Sequence, residues 1–337
     1  MYRYFLYGVT AWLAAYIAFF YISLNKPSNV SKWVHDAYTK KTLISSATPS
    51  PRIVISAGSS TLFGIDSSAI SQAFNLPVVN YSVNAGLMLP VILHKTKQIL
   101  REGDILIMPL EYDMYLYNGN PNEQMIDYVT SYEPHILPTL TLKEQFYIFW
   151  QTTLRSIITK QTQEIQTPQG LYGAHNIDNR GDQINTAKAD QAKEFYKELQ
   201  DTKPYEYNNI YKGDELSYRY LREFAAYCKQ NNIKLILTPC PLLTKPQYKE
   251  ERFFADVPQK LRAMGFTYIG NPYDYMYSID FFFNTDYHLN DEARKTHTQK
   301  LIKELLPTFS EARFQPRQTS GEDKSSLPNP LPSETRF

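Results

Sequence analysis

The chain has 337 residues, 43% of them hydrophobic and 20% charged, and its 35 Lys and Arg against 34 Asp and Glu give a net charge of +1. Such a chain can bury a sizeable core, which excludes the disordered and collagen-like classes. The balanced charge gives no general attraction to phosphate, so we expect no nucleic-acid partner. Cys228 and Cys240 cannot make a disulfide framework, and no Cys or His cluster has zinc spacing. We therefore predict neither a metal site nor a cofactor.

Residues 1–25 are predicted to form a transmembrane anchor. The stretch from Tyr4 to Leu24 is uncharged, lies between Arg3 and Lys26, and has the length of about 20 residues that a helix needs to cross a bilayer. A cleaved signal peptide is the rival interpretation, but the apolar run is longer than a signal core and no small-residue cleavage site follows it. We expect a single-pass protein of the cytoplasmic membrane. The flanking charges do not determine the orientation, so a body facing the periplasm or exterior is inferred from the function below.

Residues 26–51 are predicted to form a membrane-proximal stalk and linker. They contain one helical stretch, SKWVHDAYTKK, and end in the Ser/Thr/Pro-rich segment SSATPSP. We expect the folded body to begin near Arg52.

Five short apolar runs predict the strands of a parallel sheet, because unbroken β-branched runs are typical of strands buried on both faces. They are IVIS (53–56), PVVNY (77–81), DILIMPL (104–110), KLILTP (234–239) and FTYIG (266–270). Helical patterns alternate with them at 67–74, 89–103 and 215–232, and a closing helix follows at 291–306. This alternation predicts a doubly wound, flavodoxin-like α/β domain of three layers over residues 52–306, with its site at the carboxyl ends of the strands.

Two segments depart from this rhythm. Residues 113–210 are predicted to be an insertion that lids or lines a cleft, with one helix over LKEQFYIFWQTTLRSIITK (142–160). Residues 307–337 are rich in Pro, Ser and charge, so we predict a disordered tail.

Three side chains are candidates for nucleophilic catalysis. Ser60 lies in AGSSTLFGID, directly after the first strand, where a hydroxyl can face the free N–H groups of a helix start. Asp286 and His288 stand two residues apart in FFNTDYHLNDEAR, before the closing helix. We predict Ser60 as nucleophile, His288 as base and Asp286 as the group that orients the imidazole. The alternatives are that serine only caps the helix and that the histidine is incidental.

In this order, the motifs resemble those of the SGNH or GDSL-type hydrolases and acyltransferases. Gly58-Ser59-Ser60 matches the first block of that family, with Ser59 in place of its usual Asp. VVNYSVNAGL is similar to the second block, with Asn80 in the strand and Ala85 or Gly86 at the turn. The resemblance implies that the N–H groups of Ser60 and of Ala85 or Gly86 form the oxyanion hole.

The third block of the family supplies an Asn that is missing here, because MPLEYD (108–113) has Glu111 or Tyr112 at that place. Either Asn84 substitutes as a donor or the oxyanion hole is weaker, and the loss of one donor typically costs about 10²-fold to 10³-fold. Glu111, Tyr112 and Asp113 are predicted to bind substrate. The alternative is that the two carboxylates pair with Lys or Arg.

The last block, usually Asp-x-x-His, reads Asp286-Tyr287-His288 here, and Thr285 stands at the usual Asp position. Asp-x-His spacing resembles the alginate O-acetyltransferase-like branch, whose members are exported and modify polysaccharides. The resemblance implies membrane-anchored, serine-dependent acyl transfer or ester hydrolysis on cell-envelope glycan. The implied partners are a glycan or small acyl ester and a membrane-bound acyltransferase. The alternative is a non-catalytic envelope protein of the same fold that binds glycan or scaffolds such an acyltransferase.

Overall fold

The computed structural model describes residues 2–314, with side chains through Ser310. Its centre is a five-stranded sheet in the order β2-β1-β3-β4-β6, with every pair of neighbours parallel. The five strands are β1 Ile53–Ile55, β2 Val78–Asn80, β3 Ile105–Met108, β4 Lys234–Leu237 and β6 Thr267–Tyr268. β5 Leu242–Leu243 and β7 Met276–Tyr277 form a second, two-stranded parallel sheet. The predicted α/β class and all five predicted strands are confirmed, and the strand order is that of flavodoxin-like sheets.

Thirteen α-helices accompany the sheets in the described residues. They are α1 Tyr2–Ser23, α2 Lys32–Ala47, α3 Ser59–Gly64, α4 Ser67–Phe74, α5 Met88–Ile99, α6 Glu123–Tyr132, α7 Leu142–Gln151, α8 Leu154–Thr162, α9 Lys193–Asp201, α10 Tyr207–Ile210, α11 Leu216–Gln230, α12 Phe253–Ala263 and α13 Asp291–Phe314.

The sheet is buried on both faces because side chains along a strand point alternately to opposite sides. Ile53 and Ile55 pack with residues of α4 and α13 on one face. Val54, between them, belongs to a larger cluster on the other face, which includes residues of α2, α5, α11 and α12. The domain at β1 therefore has three layers, with the sheet between two layers of helices.

The chain changes direction across the sheet at β1, since β2 lies on one side of β1 and β3 on the other. Connections after β1 and β3 leave in opposite directions at such a point and open a crevice at the carboxyl ends of the strands. The segments that begin at Gly58 and Glu111 come together there.

One helix of the described part, α1, is long and apolar enough to cross a membrane: it has 22 residues, and a window of it has a mean hydropathy of 1.7. A signal sequence near an N-terminus can meet the same criteria of length and composition. Apart from Phe20 and Ser23, its side chains are not buried.

The helix expected as a stalk, α2, packs on the sheet instead of standing apart from it. Val34, Ala37, Tyr38 and Lys41 are buried, and the first three belong to the larger core cluster. Their spacing of three and four residues puts them on one face of the helix. The segment 26–51 thus differs from our expectation because its helix has an apolar stripe that the body buries.

Two helix boundaries also differ from the sequence-based predictions. The helix expected over 142–160 is divided into α7 and α8, because Thr153 caps a new helix by accepting a hydrogen bond from the Ser156 amide. The closing helix continues to Phe314, so residues 307–314 are helical rather than disordered. Residues 315–337 of the predicted tail lie outside the described residues.

Candidate functional site

Ser60 lies in the first turn of α3, directly after β1, as the sequence predicted. Its side chain is fully buried, and its hydroxyl has no hydrogen-bond partner among the described residues. Gly58 holds the N-cap position, and no side chain caps this helix. Neither Ser59 nor Ser60 therefore serves as the helix cap that was the alternative interpretation.

The Glu111 carboxylate, at the end of β3, bridges two backbone amides at the end of β1. Its Oε2 accepts a hydrogen bond from the Gly58 N–H at 3.0 Å, and its Oε1 accepts one from the Ser60 N–H at 2.8 Å. A Cβ at Gly58 would lie 2.4 Å from Glu111 Oε1 and 2.7 Å from the Cα of Ala85. The ends of β1, β2 and β3 thus meet, and only glycine fits where they do.

Glu111 is buried, and none of its hydrogen bonds comes from a Lys or Arg. Desolvation raises its pKa to about 7, the charge of Asp113 adds to the rise, and the hydrogen bond from the Ser60 backbone amide opposes it. Glu111 therefore does not pair with a Lys or Arg, which was the alternative interpretation, and its hydrogen bonds come from the Gly58 and Ser60 amides instead. Its carboxylate occupies the Ser60 N–H that was predicted to face the oxyanion.

The other residues predicted for the oxyanion hole and for substrate binding have different surroundings, and not all of them face the site. Asn84 Oδ1 accepts a hydrogen bond from the Gly86 N–H at 2.6 Å, so this side chain closes its own turn. Tyr112 is buried, packs edge-on against Phe254 with 4.9 Å between ring centroids, and belongs to the core. Asp113 is exposed beside the site. Substrate binding by Tyr112 is therefore not supported, because its ring is enclosed by other aromatic residues.

His288 is buried against the helix that carries Ser60. Its ring stacks on Phe63, with centroids 4.1 Å apart and an interplanar angle of 6°. Phe63 lies one turn after Ser60 on α3. Burial lowers the pKa of His288 to about 3, so the imidazole is neutral across the physiological range.

Asn284, not Asp286, orients the imidazole. His288 Nδ1 lies 2.8 Å from Asn284 Oδ1, and Asn284 Nδ2 donates to the Tyr172 hydroxyl at 2.7 Å. This amide orientation makes Nδ1 the protonated nitrogen of the ring and leaves Nε2 as the acceptor. The prediction for Asp286 was wrong because the chain folds back here: the Phe283 amide donates to the His288 carbonyl at 2.8 Å. That turn brings the residue four positions before His288 to its ring.

Tyr172 comes from the predicted insertion and was not a candidate in the sequence. Asp182, later in the same segment, accepts hydrogen bonds from the Ser67 hydroxyl at 2.6 Å and from Asn80 Nδ2 at 3.0 Å. Gly181 has a φ of +96°, and a Cβ there would lie 2.1 Å from the Asn80 carbonyl oxygen. The insertion thus packs tightly over the end of β2 and contributes Tyr172 to the chain of hydrogen bonds that ends at His288.

Within residues 2–314, no group of three or more His, Cys, Asp or Glu side chains is arranged to hold a metal ion. Comparisons with protein-family models, with curated proteins and with solved structures found no match to this chain.

Proposed function

We propose that this protein is a membrane-anchored SGNH-type enzyme that performs acyl transfer or ester hydrolysis through Ser60, with His288 as its base. The observation that carries the proposal is the hydrogen-bonded chain Tyr172–Asn284–His288. It holds a neutral imidazole in one tautomer, stacked on the helix whose first turn contains an unpartnered serine hydroxyl. A nucleophile, a base and a group that orients the base are the parts that such catalysis needs.

In the proposed reaction, His288 Nε2 takes the proton of Ser60 while Oγ attacks an ester carbonyl. The bond to the leaving alkoxide breaks, the imidazolium returns the proton to that alkoxide, and the acyl group stays on Ser60. Water or a sugar hydroxyl then attacks the acyl-serine by the reverse steps. Asn284 is the positioning residue. Being neutral, it fixes the tautomer without stabilising the imidazolium as a carboxylate would.

Glu111 controls access to the amide donors in this proposal. Its carboxylate holds the Ser60 N–H, so a substrate carbonyl has to displace it before that N–H can stabilise an oxyanion. A protonated carboxyl group is a weaker acceptor than a carboxylate. Since the pKa of Glu111 is about 7, the donors become easier to reach as the pH falls through neutrality.

The helix α1 and the sequence motifs support the proposed place of action and substrate class. A helix of this length and composition can hold the body at a membrane surface. Together with the Asp-x-His spacing, this favours cell-envelope glycan as acceptor or ester substrate, with the body outside the cytoplasmic membrane. A membrane-bound acyltransferase is the partner that would supply acyl groups.

Trapping of the acyl-enzyme tests the proposal. The full chain in detergent micelles is incubated with p-nitrophenyl acetate, quenched with acid and mapped by mass spectrometry. We expect acetylation of Ser60 that is lost in Ser60→Ala and His288→Ala but kept in the control Ser59→Ala. Loss of the acetyl group to water identifies a hydrolase, and faster loss with an added glycan identifies a transferase. A folded wild-type protein without acetyl-Ser60 contradicts the proposal.

The second candidate is a non-catalytic SGNH-fold protein that binds glycan or scaffolds a membrane acyltransferase. The observation in its favour is that Glu111 already occupies the Gly58 and Ser60 amides. In this case Ser60→Ala and His288→Ala leave glycan binding and partner binding unchanged, and no acyl group is found on the wild-type protein.

A further inference from the structure

The outer face of α7 carries large apolar side chains that the body does not bury. Leu142, Phe146 and Trp150 follow one another at intervals of four residues, which aligns them along one side of the helix. They are 83%, 64% and 63% exposed. An aligned row of this kind on a surface helix is typical of an interaction face.

The apolar face continues onto α8, where Leu154 and Ile158 are also exposed and again lie four residues apart. Arg155 stands between them and is exposed as well. A long basic side chain beside such a row can extend to lipid phosphates while the row itself faces hydrocarbon.

This face lies alongside α1. The ring of Phe149 packs edge-on against Tyr16 and against Phe20, with 5.1 Å between centroids in both pairs. The Tyr16 hydroxyl donates to the backbone carbonyls of Phe149 and Thr152, where α7 gives way to α8. The body therefore contacts α1 as far from its end as Tyr16. Tyr16 lies seven residues before the end of that helix, a distance of about 10 Å along the helix axis.

The length of α1 decides where that contact lies relative to a membrane. The 22 residues of α1 extend about 33 Å at 1.5 Å per residue, which matches a hydrocarbon core of about 30 Å. Suppose that Tyr16 and the residues after it lay outside the bilayer. Only Tyr2–Ala15 would then remain to cross it, and these residues extend about 21 Å, which is too short. A spanning α1 therefore carries the junction of α7 and α8 into the bilayer.

We propose that α7 and α8 insert their exposed apolar face into the leaflet next to the body, so that the protein is held by this surface as well as by α1. The occupant of the face is lipid, because Leu142 and Phe146 line one groove together with Phe20 and Tyr21 of α1, and because the face carries Trp and Phe, which favour the interface. The inference rests on the proposed membrane anchoring and does not depend on the chemistry of Ser60.

Tryptophan quenching tests this proposal, since the chain has three tryptophans in three different settings. Trp12 lies on α1, Trp150 on α7, and Trp33 on α2, where its ring is 5.2 Å from that of Tyr172. Three full-length variants keep one each: W12F/W33F, W33F/W150F and W12F/W150F. They are reconstituted in phosphatidylcholine vesicles brominated at different depths of the acyl chain.

We expect Trp150 to be quenched most by bromine near the headgroups, Trp12 by deeper bromine, and Trp33 by neither. Quenching of Trp150 as weak as that of Trp33, while Trp12 is quenched, overturns the insertion of α7 and leaves the anchor intact. Absence of quenching at Trp12 as well overturns the anchor and the insertion together. Neither result bears on Ser60, which the acyl-trapping experiment tests separately.

A nitroxide provides a second measurement in case the tryptophan variants fold poorly. Phe146→Cys is labelled in the full chain and compared with Leu43→Cys, a 67% exposed apolar position on α2. Both native cysteines are buried. We expect oxygen to relax the label at 146 more than a water-soluble nickel complex does, and the reverse at 43. Greater relaxation by nickel at 146 overturns the proposal.

Discussion

The buried carboxylates at the two ends of β1 differ in their partners, because one is paired with a cation and the other is not. At its amino end, Asp104 and Arg52 are fully buried and paired at 3.1 Å, and the guanidinium also donates to the Ile99 carbonyl at 2.6 Å. At its carboxyl end, Glu111 has hydrogen bonds from backbone amides but no cation, and its pKa is raised to about 7. At the amino end, both charged groups are already paired and cannot bind a ligand. At the carboxyl end, burial of Glu111 without a cation lowers the stability of the fold.

This difference supports the proposed position of the site at the carboxyl end of β1. The same edge as Glu111 contains an unpartnered Ser60 hydroxyl and a buried neutral His288. Raised or lowered pKa values and unsatisfied polar groups gather at functional sites because selection there acts against the local optimum of stability. The comparison predicts large stability losses at the amino end and changes in reactivity and pH dependence at the carboxyl end.

Loss of the cation at the amino end should have the largest effect. Arg52→Met leaves Asp104 buried without its partner, so we expect the free energy of unfolding to fall by about 3–5 kcal/mol. Denaturant titration in detergent, followed by circular dichroism, measures this. The exposed Arg155→Met serves as control and should change stability by less than about 0.5 kcal/mol. A loss below about 1 kcal/mol at Arg52 contradicts the contrast between the two ends.

Gly58→Ala should cause the next largest loss of stability. The added methyl group meets Glu111 Oε1 and the backbone of Ala85 at less than 3 Å. We expect a loss of about 3 kcal/mol, the upper end of the usual cost of overpacking, together with lower Ser60 reactivity. In the control Gly64→Ala, the nearest atom to the new Cβ is 3.4 Å away, and the loss should stay below about 1 kcal/mol. Equal losses in both variants would show that the three strand ends are not closely packed at Gly58.

Asn284→Ala removes the group that orients His288. We expect the rate of Ser60 acylation to fall by about 10²-fold with little change in stability, because the imidazole loses its fixed orientation. Asn284→Asp should raise the pKa of His288, seen as a shifted pH profile, by placing a negative charge beside it. Asp286→Asn is the matched control and should leave the rate unchanged. A loss in Asp286→Asn as large as in Asn284→Ala would restore the Ser–His–Asp assignment.

The pH dependence of stability should report Glu111. Its pKa is higher in the folded protein than the ordinary value of 4.5, so the folded state binds more protons between pH 4.5 and about 7. Its contribution to stability is therefore lost as the pH rises through that window, by about 2 kcal/mol between pH 5 and 7. Unfolding at both pH values should show this fall in the wild type relative to Glu111→Gln. The same slope in both proteins contradicts a raised pKa for Glu111.

Much of the fold was predictable because it depends on local patterns. Runs such as IVIS are typical of strands buried on both faces of a sheet, and parallel strands bring their carboxyl ends to one edge, so Ser60 and Glu111 were expected at the same edge. The division of 142–160 was missed, although Thr153, which caps α8, is a local signal. The hydrogen bonds from Tyr16 to the carbonyls near the break could not be predicted, because Tyr16 is over a hundred residues distant in sequence. Asn284 escaped notice because carboxylates were the expected partners of His288, and the turn that folds Phe283 onto His288 has no clear sequence signature.

Labelling with a fluorophosphonate tests directly whether His288 activates Ser60, because such probes react with a serine only when a base activates it. The full chain in micelles is labelled, digested and mapped beside Ser60→Ala, His288→Ala and Ser59→Ala. We expect an adduct on Ser60 in the wild type and in Ser59→Ala, and none in the other two variants. A folded wild-type protein without an adduct, or one whose labelling survives His288→Ala, would contradict this expectation.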